Sequence, residues 1–128
     1  MFKNAHTFSS FSTDNIEKAK EFYGDILGLE IKEDKEMGLL GIHLKNGGEI
    51  MIYPKNDHTP ATFTVLNFNV DDIEKSVDEL TSKGVKFEQY HQEGLTTNEK
   101  GISRSEYGPT AVAWFKDNAG NIISVIQE

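Results

Sequence analysis

Four histidines are the side chains in this sequence best suited to chemistry, because imidazole binds metal ions and exchanges protons near neutral pH. His6 lies near the start of a segment with strand character, so it is a candidate ligand for a divalent metal ion. His43, His58 and His91 show neither the i,i+2 spacing of two ligands on one strand nor the HExxH pattern of a zinc-binding helix. Since a metal site needs several converging donors, the histidine pattern alone does not predict one.

Several other common chemistries are missing from the sequence. The absence of cysteine excludes disulfides, thiolate zinc sites and a cysteine nucleophile, and it fits a reducing compartment. No Gly-x-Ser-x-Gly, phosphate-binding loop or dinucleotide-binding glycine pattern is present. A net charge of -8 disfavours nucleic acid, and no apolar run approaches the roughly 20 residues that span a bilayer. We therefore expect a cytoplasmic protein with no nucleic acid or membrane partner.

An internal repeat organises the chain. Residues 12–23 align with residues 69–80, so that Ile16 matches Ile73. Each of these segments follows a short stretch with strand character and opens an amphipathic pattern with apolar residues at helical spacing. The repeat therefore predicts two strand-helix units of the same kind.

The predicted helices begin and end with similar signals. Asp14 and Asp71 each precede a glutamate by three residues, which is a capping-box-like arrangement with acids at the positive end of the helix dipole. Gly28 and Gly84 follow the last apolar positions and suit the left-handed conformation that ends many helices. We expect each helix to run between these two signals.

Three strand candidates follow each predicted helix. They are residues 29–33, 39–45 and 49–55 in the first half, and residues 85–90, 110–116 and 121–127 in the second. The order β-α-β-β-β, repeated twice, predicts an α+β fold in which two modules pack side by side into a curved mixed sheet with an inner cavity. The expected single domain covers residues 1–128, with modules at about 5–55 and 61–127. Residues 91–109 form a long polar segment, either a mobile surface loop or a flap over the cavity.

Two stretches in this pattern carry a family resemblance. The repeat, with DNIEKAKEFYGDILGLEI at 14–31 and FKDNAGNIISVIQE at 115–128, resembles the vicinal oxygen chelate superfamily. That group includes glyoxalase I, ring-cleaving dioxygenases, and bleomycin- and fosfomycin-resistance proteins. The chain departs from the family's Asp-Pro-x-Gly turn, because Asn118 stands where the family usually has proline. The resemblance implies a cup-shaped sheet but leaves the activity open, since this fold hosts unrelated functions.

The resemblance also implies where metal ligands would lie. Metal-dependent members resembling glyoxalase I carry His, Gln or Glu on the first and last strand of each module. Counting back from the Phe-Tyr pair of the first helix, and forward from the turn glycines Gly48 and Gly120, the four matching positions are Phe8, Ile52, Val65 and Ser124. Three are hydrocarbon and the fourth is a neutral hydroxyl, so the resemblance predicts neither a metal ion nor another cofactor.

Side-chain alternation extends the predicted lining of the cup. The expected ligand-binding residues on its concave face are Phe8, Ser10, Ile52, Val65, Asn67, Trp114 and Ser124. Trp114 matches a pocket-lining position of glyoxalase-like proteins, and a core tryptophan is the alternative. Lys55 is expected at the rim, where it could attract an anion, and Arg104 and Lys100 of the long segment could reach over the mouth.

This lining predicts a metal-free protein that binds a small, partly aromatic metabolite or antibiotic, as the bleomycin-resistance proteins do. No general base is expected on the inner face, which disfavours acid-base catalysis. One alternative is a glyoxalase-like or dioxygenase-like metalloenzyme with an atypical site that uses His6. Another is a structural or partner-binding module with a cup filled by its own side chains. The resemblance also implies a homodimer.

Overall fold

Ten β-strands and two α-helices are divided between two units, Met1–Thr59 and Pro60–Glu128. The computed structural model describes all residues from 1 to 128. Neither α-helix has the combination of length and apolar composition that crossing a membrane would require.

The first unit contains one four-stranded mixed sheet. Its elements are β1 (Ser9–Thr13), α1 (Ile16–Lys20), a π-helical segment (Glu21–Ile26), β2 (Glu30–Asp34), β3 (Leu39–His43) and β4 (Glu49–Pro54). The strand order is β1-β4-β3-β2, with β1 parallel to β4 and the other neighbours antiparallel. This unit has the predicted order β-α-β-β-β.

The second unit repeats this topology with an added hairpin. Its elements are β5 (Thr64–Asn69), α2 (Ile73–Ser82), β6 (His91–Gln92), β7 (Leu95–Thr96), β8 (Ile102–Arg104), β9 (Ala111–Lys116) and β10 (Ile122–Gln127). The main sheet has the order β5-β10-β9-β8, with β5 parallel to β10, while β6 and β7 form a separate hairpin. Two mixed four-stranded sheets with few helices confirm the predicted α+β class.

The N-terminal caps of the helices lie one residue later than the sequence suggested. The side chain of Asn15, not Asp14, accepts a hydrogen bond from the backbone N–H of Lys18 at 3.0 Å. Asp72, not Asp71, caps α2 by accepting from the backbone of Lys75 at 3.1 Å. Both caps have the extended backbone that an N-cap requires, and Asn and Asp are equally good at this position, so the capping-box count was wrong by one residue.

The first helix changes character after Lys20. The predicted helix continues through Glu21–Ile26, but as a π-helical segment whose wider turn includes a hydrogen bond from Leu27 N–H to Phe22 C=O. A side chain at Gly24 would come within 3.3 Å of Ile31 on β2, so glycine lets the segment lie close to the sheet. The helical segment ends at the predicted glycine, because Gly28 has the positive φ, 72°, that is typical of the residue after a helix.

The strand predicted at residues 85–90 is wrong. That segment makes only an isolated bridge between Phe87 and Phe115, and β8 takes the expected place beside β9. The chain leaves the edge of β9 after Glu88, whose backbone N–H donates to the Trp114 carbonyl, and returns to the same edge at Ile102. Part of the long segment predicted as a loop is therefore a sheet strand.

Candidate functional site

Three polar or aromatic side chains form a row across neighbouring strands of the second sheet. Ser124 on β10 is in register with Asn67 on β5 and with Trp114 on β9. The Ser124 hydroxyl donates a hydrogen bond to Asn67 Oδ1 at 2.5 Å, and Ser124 itself is fully buried. We call Asn67, Ser124 and Trp114 the central row.

The central row lies on the sheet face opposite α2. The alternate positions of β10, Ile123 and Val125, are buried and pair with Leu66 and Phe68 of β5. Helix α2 contacts β9 and β10, and its amphipathic sequence needs that apolar face. The alternation predicted for β5, with Leu66 and Phe68 toward the helix, therefore agrees with the strand register.

An aromatic pair extends the central row at its Trp114 end. The rings of Trp114 and Tyr90 meet edge to face, with centroids 5.6 Å apart and planes at 85°. Edge-to-face packing holds both rings in a defined orientation. Since Trp114 is only partly buried, it combines a fixed ring with some exposed apolar surface. Sequence reasoning missed Tyr90, because the pair depends on how the segment after α2 meets β9.

Val65 does not join the central row as expected. Thr64 pairs with Ile122 and Leu66 with Ile123, so Val65 is the extra residue of a β-bulge. Alternation does not extend through a bulge, and Val65 has no partner on β10 that would place it beside Asn67. Its predicted role in ligand binding stays a prediction.

In the first unit, Ile52 lies on the other face of the sheet from the one predicted. It is fully buried and in register with Leu40 on β3 and with Phe11 on β1. Phe11 in turn packs its ring 6.0 Å from that of Tyr23, which belongs to the π-helical segment. Ile52 is therefore a core residue beneath the helical side of the sheet, and the prediction that it points toward a ligand is wrong.

The opposite face of the first sheet carries Met51 where Ile52 was expected. Met51 pairs with Ser10 on β1 and with Gly41 on β3, so Ser10 is on the predicted side. Phe8 precedes β1, is 55% exposed, and lines a cleft of about 210 Å³ together with Met51 and other residues of β3 and β4. Phe8 and Ser10 thus share a face, in a unit different from that of the central row.

His6 and His43 both approach one carboxylate on this face. His6 Nε2 lies 3.2 Å from Glu49 Oε2, and His43 Nδ1 lies 3.5 Å from Glu49 Oε1. All three side chains are at least 39% exposed. No group of three or more His, Cys, Asp or Glu side chains in the structure is placed to hold a metal ion. Sequence spacing could not reveal the contact, because His6 and Glu49 are 43 residues apart.

A serine and a histidine meet near the end of β4. The Ser12 hydroxyl lies 2.7 Å from His58 Nδ1, which ties the segment after β4 back to β1. Lys55, predicted at a pocket rim, forms an ion pair with Asp57 and is about half exposed. This pairing offsets part of the charge that an anion would meet, and anion binding by Lys55 stays a prediction.

Arg104 and Lys100, which were expected to reach over the mouth of the cup, form ion pairs with acidic residues of α2. Arg104 Nη2 donates to Glu74 Oε2 at 2.9 Å, and Lys100 Nζ donates to Glu74 Oε1 and to Asp78 Oδ2, each at 3.1 Å. Glu74 and Asp78 belong to α2, so both basic side chains lie against the helix side of the sheet. Hydrogen bonds from Lys100 and then Arg104 lower the pKa of Glu74, and the bonds to Asp78 and Glu74 raise the pKa of Lys100.

Chemically, the central row offers a hydroxyl, an amide and an indole, with no acid, base or nucleophile activated by a partner. It can donate and accept hydrogen bonds and can present apolar area to a flat molecule. Of the predicted site residues, the structure brings together Asn67, Ser124 and Trp114. It separates Ile52 and Arg104 from them by placing each on the helix side of its sheet.

Comparisons with known proteins agree with this architecture. The chain is 29% identical to the uncharacterized protein YurT of Bacillus subtilis over 94% of its own length and 96% of that protein. Lactoylglutathione lyase from Agrobacterium tumefaciens has a similar fold, with a TM-score of 0.69 and 16% identity, covering 96% of this chain and 93% of that one.

TnmS3, an antibiotic binding protein from Streptomyces sp. CB03234, is comparably similar. Its TM-score is 0.68 and its identity 22%, with 97% of each chain covered. At this level of identity the two solved structures show the fold alone. The sequence profile of the glyoxalase/bleomycin resistance protein/dioxygenase superfamily matches residues 5–125, and the chain belongs to that superfamily.

Proposed function

We propose that the protein binds a small, partly aromatic molecule, a metabolite or an antibiotic, at the central row without a metal ion. The observation that carries the proposal is the row itself: an indole, a hydroxyl and an amide aligned across three adjacent strands. Ligand sites typically combine apolar or aromatic surface with a few placed polar groups. Membership of the superfamily and the fold shared with an antibiotic binding protein support this reading.

The hydrogen bond within the row suggests which ligand groups it favours. Ser124 donates to Asn67 Oδ1, so Oδ1 is already engaged and the amide nitrogen of Asn67 is a donor for a ligand. A carbonyl or ring-nitrogen acceptor would suit that donor. A flat ring beside it would contact the exposed part of Trp114, whose orientation is held by Tyr90.

The chemistry of the row favours binding over catalysis. General acid-base catalysis needs a titratable group within hydrogen-bond reach of the reacting atoms. The row has none, and its partner Tyr90 meets Trp114 through ring packing. We therefore propose stoichiometric binding without turnover.

A metalloenzyme is the second candidate, favoured by the contact of His6 and His43 with Glu49. Two imidazoles and a carboxylate are the donor types of many zinc sites. The high exposure of all three side chains and the lack of a converging donor set weaken this candidate. Stoichiometric zinc, nickel, manganese or iron in the purified protein, lost in His6→Ala, would establish the metal site that this candidate requires and contradict the metal-free proposal.

We also propose that the protein acts in the cytoplasm as a homodimer. The absence of cysteine suits a reducing compartment, and superfamily resemblance suggests the assembly. Sedimentation equilibrium at micromolar concentration should give twice the chain mass of 14.4 kDa, and a single-chain mass would contradict the dimer.

Thermal-shift screening against a library of antibiotics and aromatic metabolites tests the proposed function. A ligand that binds the folded state raises Tm by mass action. Trp114→Ala should weaken the binding of that ligand by at least about 30-fold, because truncating a central aromatic contact costs about 2 kcal/mol of binding free energy. Trp114→Phe keeps an aromatic ring and is the matched control.

Fluorescence gives an independent readout, because Trp114 is the single tryptophan of the chain. A ligand at the central row should change its emission, with a saturation curve that matches the thermal shift. A ligand that raises Tm equally in wild type and Trp114→Ala binds elsewhere, and that result would contradict the assignment of the site.

A further inference from the structure

A second cleft lies beside β8 in the Pro60–Glu128 unit. Its volume is about 520 Å³, and it is lined by Gly94, Leu95, Thr96, Ser103, Arg104, Ser105, Glu106, Tyr107, Thr110 and Val112. The β6–β7 hairpin supplies one side and the segment between β8 and β9 supplies the other. We call it the hydroxyl cleft.

The hydroxyl cleft adjoins the central row. Val112 pairs with Ser103 on β8 and with Ile126 on β10, and it is two residues from Trp114 on the same strand. Residues two apart on a strand share a face and lie about 7 Å apart. The cleft is therefore on the same sheet face as Trp114, within the reach of one small molecule.

Hydroxyl groups dominate the polar chemistry of the cleft. Five of its lining residues, Thr96, Ser103, Ser105, Tyr107 and Thr110, carry one. Each hydroxyl can donate and accept a hydrogen bond, so the set matches a ligand that itself carries several hydroxyls.

The charges in the cleft do not favour an anion. Arg104 lines the cleft, but its guanidinium is paired with Glu74 on the helix side of the sheet. The other charged lining residue is the carboxylate of Glu106, which an anion would meet. A neutral ligand avoids that repulsion.

Tyr107 supplies an apolar surface at the edge of the cleft. It is 96% exposed, in a turn where its backbone N–H donates to the Ser105 hydroxyl at 3.2 Å. A tyrosine ring has apolar faces and a polar tip, which suits a ligand that has C–H faces and hydroxyl edges. A sugar ring has that combination.

We propose that the hydroxyl cleft binds a sugar ring, and that the ligand at the central row carries a glycosyl substituent placed there. This inference rests on the proposed function, because the aromatic part of the ligand occupies the Trp114 site. The two regions together accommodate a flat apolar group on one side and a neutral, hydroxyl-rich group on the other. The ligand class is a glycosylated aromatic small molecule.

Matched probes test the proposal by isothermal titration calorimetry. They are 2-naphthol, its β-glucoside, β-galactoside and β-xyloside, and the three corresponding methyl glycosides. At least one naphthyl glycoside should bind the wild-type chain at least tenfold more tightly than 2-naphthol. Tyr107→Ala should remove that difference and leave the affinity for 2-naphthol unchanged, whereas Tyr107→Phe should keep most of it. Since Tyr107 is almost fully exposed, neither variant removes a core contact.

The remaining outcomes separate this inference from the proposed function. If 2-naphthol binds, loses affinity in Trp114→Ala, and gains nothing from any sugar, the glycosyl proposal is overturned and the central row stands. If no naphthyl glycoside binds, the glycosyl proposal is overturned, and the proposed function is then decided by the thermal-shift screen with Trp114→Ala. If a methyl glycoside binds, is lost in Tyr107→Ala and is unaffected by Trp114→Ala, the cleft is a free-sugar site and the link to the aromatic ligand is overturned.

Discussion

Glu74 is the residue at which two cations meet one carboxylate. Lys100 and Arg104 both donate to it, which favours its charged form and lowers its pKa. A carboxylate whose pKa is lower in the folded chain than in the unfolded chain stabilises the fold above the unfolded pKa. That contribution disappears as the pH falls through the lowered pKa. The side chains are about half exposed, so the effect is modest and sensitive to salt.

Glu74→Gln should therefore lower Tm at pH 7, and the difference from wild type should shrink as the pH falls below the ordinary carboxyl range. The measurement is Tm from pH 7 to pH 3 at low salt. Glu79→Gln, on the same helix but outside this ion-pair cluster, is the control and should leave Tm nearly unchanged. A Glu74→Gln difference that stays constant down to pH 3 would mean that lost packing, and not charge, explains the variant.

At the scale of single residues, the predicted side-chain directions agree with the structure where side chains alternate along an unbroken strand. They disagree where the count along the strand began from the wrong turn glycine. Ser124 was counted from Gly120, which has a positive φ of 83°. The matching glycine of the first unit is Gly47, with a φ of 93°, and not its neighbour Gly48. Counting four residues from Gly47 gives Met51, the residue found on the face opposite the helix. Two adjacent glycines left the choice open in the sequence, and only the backbone conformation decides it.

At the scale of elements, the segment between α2 and β9 differs most from expectation. It was predicted as one strand followed by a long loop, either mobile or a flap. Instead, Asn98 Oδ1 accepts from the backbone N–H groups of Lys100 and Ile102, each at 2.9 Å, and Thr97 pairs with Tyr90. Sequence patterning missed this because β8 has only three residues, too few to show an alternating pattern. These hydrogen bonds fix residues 97–102 against the sheet, and whether the rest of the segment acts as a flap stays a prediction.

Gly101 is the residue on which that return to the sheet depends. Its φ is +90°, and a Cβ there would lie 2.8 Å from Phe87 Cβ and 3.1 Å from the Glu88 carbonyl oxygen. Gly101→Ala should lower the free energy of unfolding by about 1–2 kcal/mol because of the left-handed backbone, and by about 1–3 kcal/mol more because of the clash. Urea unfolding measures the sum.

Gly94→Ala is the matched control for that variant. Gly94 has a similar φ of +80°, but a Cβ added there would meet no atom within 4 Å. Only the backbone contribution, about 1–2 kcal/mol, should therefore appear. Equal losses of unfolding free energy in the two variants would show that the clash with Phe87 adds nothing to the cost of Gly101→Ala.

For the whole molecule, composition and repeat were the most informative features of the sequence. The repeat predicted the α+β class, and the resemblance carried by residues 14–31 and 115–128 implied the superfamily; both are confirmed. The extent of a single domain, the dimer and the absence of a metal stay predictions. The candidate site was only partly predictable, since the contacts of Tyr90 with Trp114 and of His6 with Glu49 join residues far apart in the chain. Superfamily membership itself does not decide between binding and catalysis, because one fold supports many activities.

The decisive experiment for metal-free binding at the central row is a titration of chelator-treated protein with the strongest ligand found by thermal shift. Calorimetry should give the same affinity and stoichiometry before and after chelation, no change on adding zinc, nickel, manganese or iron, and a large loss in Trp114→Ala. Binding that requires one of these metals, and that is lost in His6→Ala while Trp114→Ala retains it, would contradict metal-free binding at this row.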